Sequence, residues 1–148
     1  AALELALWFH DAIYDTRRND NEARSAEWAR RALGDLSPDR LDRIESLVLV
    51  TRHAAAPATT DQALLLDVDL SILGASTARF DEYEAQVRVE YEWVPDQAYR
   101  SARGRILRGF LDRPALFHTP HFEALFEARA RANLARSIAR LEESEKST

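Results

Sequence analysis

The stretch "LLLDVDLSILG", residues 64–74, decides the fold because it reads in two ways. Its composition allows a buried strand, as does that of "LVLV" at 47–50. Periodicity inside so short an apolar run cannot separate strand from helix, so the flanks must arbitrate. On both sides the apolar residues keep a 3.6-residue period, and hairpin turn signals are lacking. Thr60 or Asp61 can cap a helix leading into the stretch, and Gly74 can end it. Both runs therefore read as helix, and the expected class is all-α.

Working outward toward the N-terminus, Ser37 and Pro38 form a start signal, as cap and first helical residue. Leu41, Ile44, Leu47, Val48 and Thr51 then trace one helical face. "NEARSAEWARRALG" (21–34) reads as a helix with Ala26, Ala29 and Leu33 on one side, Trp28 beside them and Gly34 at its end. Residues 1–14 carry Leu3, Leu7, Trp8 and Ala12 at helical spacing, and the polar cluster "DTRRNDN" (15–21) follows as a loop.

Toward the C-terminus, Ser76 opens a helix with Phe80, Tyr83, Val87 and Tyr91 facing inward, closed by Val94-Pro95. Tyr99, Ala102, Ile106, Leu107 and Phe110 mark the next helix, stopped near Pro114. Thr119-Pro120 begins the last, with Phe122, Leu125, Phe126, Leu134, Ile138 and Leu141 as its apolar side. The closing "EESEKST" is polar and is expected to fray. The reading is a single compact domain over 1–148, of about seven helices with short links.

Composition bounds the function. The chain has 148 residues, a usual size for one domain with a real core. Four Gly and five Pro are few, which favours long helices over a turn-rich β architecture. The absence of Cys removes disulfides, thiolate nucleophiles and Cys-based zinc sites, and suits a cytoplasmic protein. A formal net charge of -5 argues against binding a nucleic acid polymer. Lys146 is the only Lys, so the positive charge is nearly all Arg, which can grip phosphate or carboxylate in two-pronged fashion. The apolar runs are too short to span a membrane. "AALELALWFHD" has no basic leader and reads as a helix already under way rather than a signal peptide.

Chemistry has to come from His and carboxylates, because no Gly-rich phosphate loop, Ser-centred elbow or His-Glu-x-x-His zinc motif is present. Asp67 and Asp69 stand inside the decisive apolar helix, where carboxylates are rare unless paired or bound to a cation. In "LWFHDAIYD" (7–15), His10 and Asp11 are adjacent among apolar neighbours. Chance alone predicts about 0.3 His-Asp pairs in this chain. The pair either straddles the edge of a buried stripe or converges on an ion. His53 ends the Ser37 helix, either facing the helix dipole or standing at the mouth of a site, with Arg52 beside it to hold an anion. His118 and His121 flank a helix start and read as structural or surface residues. A mixed His/Asp set suits Mn, Mg, Fe, Co, Ni or Zn.

Taken in order, "LWFHDAIYD", "NDNEARSA", "LVLVTRH" and "LLLDVDLSILG" resemble the HD-domain superfamily. The nearest pattern is its branch of predicted metal-dependent phosphohydrolases, with "WFHD-x-x-YD … DNE-x-SA … T-x-H … LDADL-x-ILG". The segments "EYEAQVRVEY", "VPDQAYRSARGRILRGFL" and "ARANL" also look like that branch, so the resemblance covers nearly the whole chain. It implies an all-α fold, a divalent metal ion, and hydrolysis of a small phosphorylated substrate, a phosphomonoester or nucleotide. Carried over residue by residue, it implies metal ligation by His10, Asp11 and Asp69, with Asp67 as runner-up or supporting residue. His53 matches an intermediate His serving a second metal or the substrate phosphate. Asp15 and Glu22 match polar positions that could orient or deprotonate the attacking water. Arg17, Arg18 and Arg52 are the implied anion contacts. The branch usually carries "YHN-x-x-H" upstream, supplying a first His. The sequence starts at Ala1 without it, so the expectation is that the domain lacks an N-terminal helix here, the alternative being that the protein has lost a ligand. Ala54 also stands where relatives often have another His. These two departures motivate an alternative, a catalytically silent HD scaffold that binds a nucleotide or protein partner.

Overall fold

At the starts of two helices a side-chain oxygen takes up a free N–H group. The computed structural model describes residues 2–143, and every regular element among them is helical. In order they are α1 (Ala2–Phe9), α2 (Asn21–Ala32), α3 (Pro38–Val50), α4 (Thr60–Leu70), a 3-10 turn (Ser71–Gly74), α5 (Thr77–Glu90), α6 (Asp96–Leu111) and α7 (Pro120–Glu143). The class is all-α, and both ambiguous runs are helical. Most of "EESEKST" lies outside the described residues.

Ser37 precedes Pro38 at the start of α3, and the Ser76 hydroxyl accepts from Arg79 N–H at the start of α5. The α4 cap is Thr59, ahead of both expected positions, Thr60 and Asp61. Thr59 Oγ1 accepts from Gln62 N–H at 3.2 Å, and its carbonyl accepts from Ala63 N–H. Thr60 is thus the first helical residue.

The chain divides into two compact units, the first ending at Asp69 and the second beginning at Leu70. In the first, α1, α2 and α3 pack on one another around Ala6, Ala26, Ala29, Ile44, Leu47, Val48 and Leu65. Three of those seven are Ala at 1 % exposure or less, which lets the helix backbones approach closely. In the second, α7 packs on α6 and on the 3-10 turn around Phe80, Leu107, Leu116, Phe117, Ala130 and Leu134. At Gly74 an added Cβ would stand 2.6 Å from Phe126 Cβ and 2.9 Å from its carbonyl oxygen, so the crossing of α7 over this turn requires glycine. Buried Asn133 donates to the carbonyls of Leu73 and Ala75, and Arg129 donates to that of Gly74.

Four expectations need correction. The first helix stops at Phe9, not residue 14. His10 supplies the reason: its Nδ1 donates to the Leu7 carbonyl at 2.8 Å, taking the acceptor that Asp11 N–H would need to extend the helix. Trp8 is 83 % exposed, because it lies about 200° around the helix from buried Ala6. Ile106 and Leu125 are also exposed, flanking rather than joining the buried faces set by Leu107 and by Ala130 and Leu134. The loop after α6, by contrast, buries Leu116 and Phe117, whose N–H groups donate to Glu127 on α7.

Candidate functional site

The first unit gathers its candidate chemistry where three segments end. Because α1 stops at Phe9, His10 and Asp11 occupy the turn that follows it. A carbonyl can only accept, so the Leu7 contact places a proton on His10 Nδ1 and directs Nε2 at the neighbouring carboxylates. Nε2 stands 3.3 Å from Asp11 Oδ2 and 3.6 Å from Asp69 Oδ1. Asp69 arrives one residue before the end of α4.

His53 comes from the end of α3. Arg52 and His53 close that helix with hydrogen bonds to the carbonyls of Leu49 and Val50. His53 then takes φ 52°, a left-handed conformation usually left to Gly or Asn after a helix, and costing a branched-out side chain about 1 kcal/mol. Its Nε2 lies 2.9 Å from Asp69 Oδ2. Asp69 therefore presents one oxygen to each histidine, with its side chain a quarter exposed.

Electrostatics follow from this geometry. The Asp69 carboxylate facing the ring is the main influence on His10; with help from Asp11 and the Leu7 carbonyl it outweighs burial, and the imidazole is pushed up to about 9. Burial pushes the Asp69 carboxyl up, but hydrogen bonds from His10 and His53 outweigh it and hold it at about 2. At neutral pH this is a charged network, with imidazolium and carboxylate side by side.

The loop after the His-Asp pair is pinned by two residues of α2 that the sequence reading gave no role. Asn21 accepts from Asp15 N–H at 3.1 Å and donates to the Asp15 carbonyl at 2.9 Å. Ser25, fully buried, accepts from Ile13 N–H at 3.0 Å and donates to the Ile13 carbonyl at 3.3 Å. The two are four residues apart and share a helix face. A polar pair at that spacing beside buried Ala26 and Ala29 is the signal that could have found them.

The remaining candidates occupy different surroundings. Asp67 is fully buried on α4, about 200° around the helix from Asp69. Asp15 lies exposed in the pinned loop, where its Oδ1 accepts from Arg17 N–H. Arg17 is exposed there too. Arg18 forks onto Asp20 at 2.6 and 2.7 Å, and Arg52 faces Glu22 at 3.9 Å. His118 and His121 are exposed in the second unit, the latter edge-on to Phe122.

The structure thus brings together His10, Asp11, Asp69 and His53, and pairs Glu22 with Arg52. Among the described residues, no group of three or more His, Cys, Asp or Glu side chains stands in the arrangement of a ready metal cage. The donor set nonetheless suits a divalent ion. His10 Nδ1 is held by a backbone carbonyl, so the proton that an incoming ion would displace from the imidazolium is the one on Nε2, and a carboxylate oxygen faces that nitrogen. None of the described helices is long and apolar enough to cross a membrane. Comparison of the chain with protein-family models, curated proteins and solved structures found no match.

Proposed function

We propose that the chain is an HD-type domain acting as a metal-dependent phosphohydrolase on a small phosphomonoester or nucleotide. The observation that carries this reading is the convergence of His10 Nε2, Asp69 and His53 from three separated segments, with His53 held in a left-handed conformation to reach it. His10 and Asp69 would hold a divalent ion, with Asp11 beside them. Such an ion supplies Lewis acidity toward a phosphoryl oxygen and lowers the pKa of bound water. His53 would hold a proton or a phosphate oxygen next to Asp69, whose Oδ2 lies 2.9 Å from its Nε2. Glu22 and Asp15 would be the carboxylates that orient water, with Arg52 as anion contact once its 3.9 Å pairing with Glu22 is exchanged for substrate. In this reading Asn21 and Ser25 keep the loop carrying Asp11 and Asp15 in place.

A second reading, a non-catalytic scaffold binding a nucleotide or protein partner, is favoured by one feature. His10, Asp69 and His53 already satisfy one another as ion pairs and a hydrogen bond. One experiment separates the two. The full chain is loaded in turn with Mn, Zn, Co and Mg, its metal content measured, and hydrolysis of a broad phosphate-ester panel followed. Catalysis predicts bound metal, turnover, and loss of both in His10→Ala and Asp69→Ala. Ligand-induced stabilisation in EDTA without turnover supports the scaffold.

A further inference from the structure

A second concentration of charge lies in the other unit, on α6, where "YRSARGRILR" spans 99–108. Arg100, Gly104 and Arg108 recur every fourth residue, with Ser101 and Arg105 beside them, so all five share a helix side. With Leu141 and Glu142 of α7 they line a cleft of about 110 Å³. A second cleft of about 310 Å³ adjoins it, sharing Arg100 and Leu141 and adding Arg88, Tyr99 and Arg140. The larger one falls in the size range of small-molecule sites.

Charge accounting gives these clefts a sign. Asp96 accepts from Arg100 at 2.5 Å, and Glu142 pairs with Arg108. Glu84 is neutralised from behind by Arg103 and accepts from Ser137, so its charge is already committed. Arg105 has no ion-pair or hydrogen-bond partner among the described residues. The smaller cleft therefore holds three guanidinium groups, of which Arg100 and Arg108 are each matched by a carboxylate and Arg105 is not, with the Ser101 hydroxyl as a further donor. Tyr99 lines the larger cleft and is buried, with the Arg88 guanidinium 4.6 Å above its ring. Gly104 lines the smaller cleft, where an added methyl group would stand 3.4 Å from Arg108 Nη1, an ordinary contact.

We propose that these joined clefts bind a phosphorylated small molecule, its phosphate among Arg100, Ser101 and Arg105 and its apolar body against Leu141, which both clefts share. Guanidinium groups suit phosphate because their donors match its oxygens in pairs. This site does not depend on the His10–Asp69 cluster or on any metal.

The test is calorimetric titration of the full chain in EDTA, at low salt, with inorganic pyrophosphate, inorganic phosphate and phenyl phosphate. Wild type should bind pyrophosphate, and phenyl phosphate more tightly than inorganic phosphate. Arg105→Gln should weaken binding about tenfold. Gly104→Ala should weaken it while leaving the melting temperature unchanged or raised, since alanine is the better helix former. That combination cannot arise from unfolding. His10→Ala should leave binding intact. Absence of binding up to about 10 mM ligand overturns the proposal, as does binding that survives Arg105→Gln but is lost in His10→Ala.

Discussion

Replacing Asp69 by Asn removes one charge from the network and leaves its shape, so it tests the electrostatics of the site without requiring any ligand. In the wild type His10 is pushed up from 6.5 to about 9, chiefly by Asp69. Without that carboxylate only Asp11 and the Leu7 carbonyl favour the imidazolium, and burial opposes it. The His10 titration should then fall to between about 6.5 and 7.5. A rise from 6.5 to about 9 corresponds to about 3 kcal/mol at 1.36 kcal/mol per pKa unit, and partial exposure of the pair reduces this to about 2 kcal/mol. The sign is set by linkage. Because the folded-state pKa of His10 is raised, its contribution is fully present below pH 6.5 and is lost as pH rises through about 9. Asp69 is held at about 2 against an ordinary 3.8, so its contribution is present above pH 3.8 and lost as pH falls through about 2. The stability gap between wild type and Asp69→Asn should therefore be widest near pH 5 and narrow by about 2 kcal/mol by pH 10. Urea unfolding at pH 5, 7 and 10 in EDTA, with NMR titration of the His10 ring, measures both quantities. A wild-type His10 that titrates near 6.5, or a gap that stays constant from pH 5 to 10, refutes the reasoning.

Other substitutions probe the fold. Gly74→Ala should destabilise the chain by about 3 kcal/mol, read from the urea midpoint, because the new methyl meets the backbone of α7 and not merely a flexible side-chain tip. Asn133→Ala should cost about 3 kcal/mol by stranding the carbonyls of Leu73 and Ala75. Asn133→Asp should cost more at pH 7, since it turns a double donor into an acceptor facing two acceptors, and its excess cost should shrink in acid. Thr59→Ala should lower stability by about 1 kcal/mol through loss of the α4 cap, with little effect on His10 or Asp69.

Local chemistry determined much of this protein. Pro38 after Ser37, Ser76 before Thr77 and Pro120 after Thr119 mark helix starts whose energetics involve only three or four neighbouring residues, and the structure keeps all of them. The helical reading of 64–74 followed from flanking periodicity for the same reason. His10, Asp11, Asp69 and His53 were nameable as a set from ordered motifs, but their spacing said nothing of which atoms would meet. That depended on tertiary structure. The stop of α1 at Phe9 arises because the His10 side chain competes for a backbone acceptor, and the roles of Asn21 and Ser25 exist only because the 10–20 loop folds back onto α2. Trp8, Ile106 and Leu125 are apolar yet exposed, because hydrophobicity states what burial would gain and not which side of a helix is covered. The lowered carboxyl of Asp69 and the raised imidazole of His10 likewise come from burial and proximity between separated segments, quantities that only the folded chain defines.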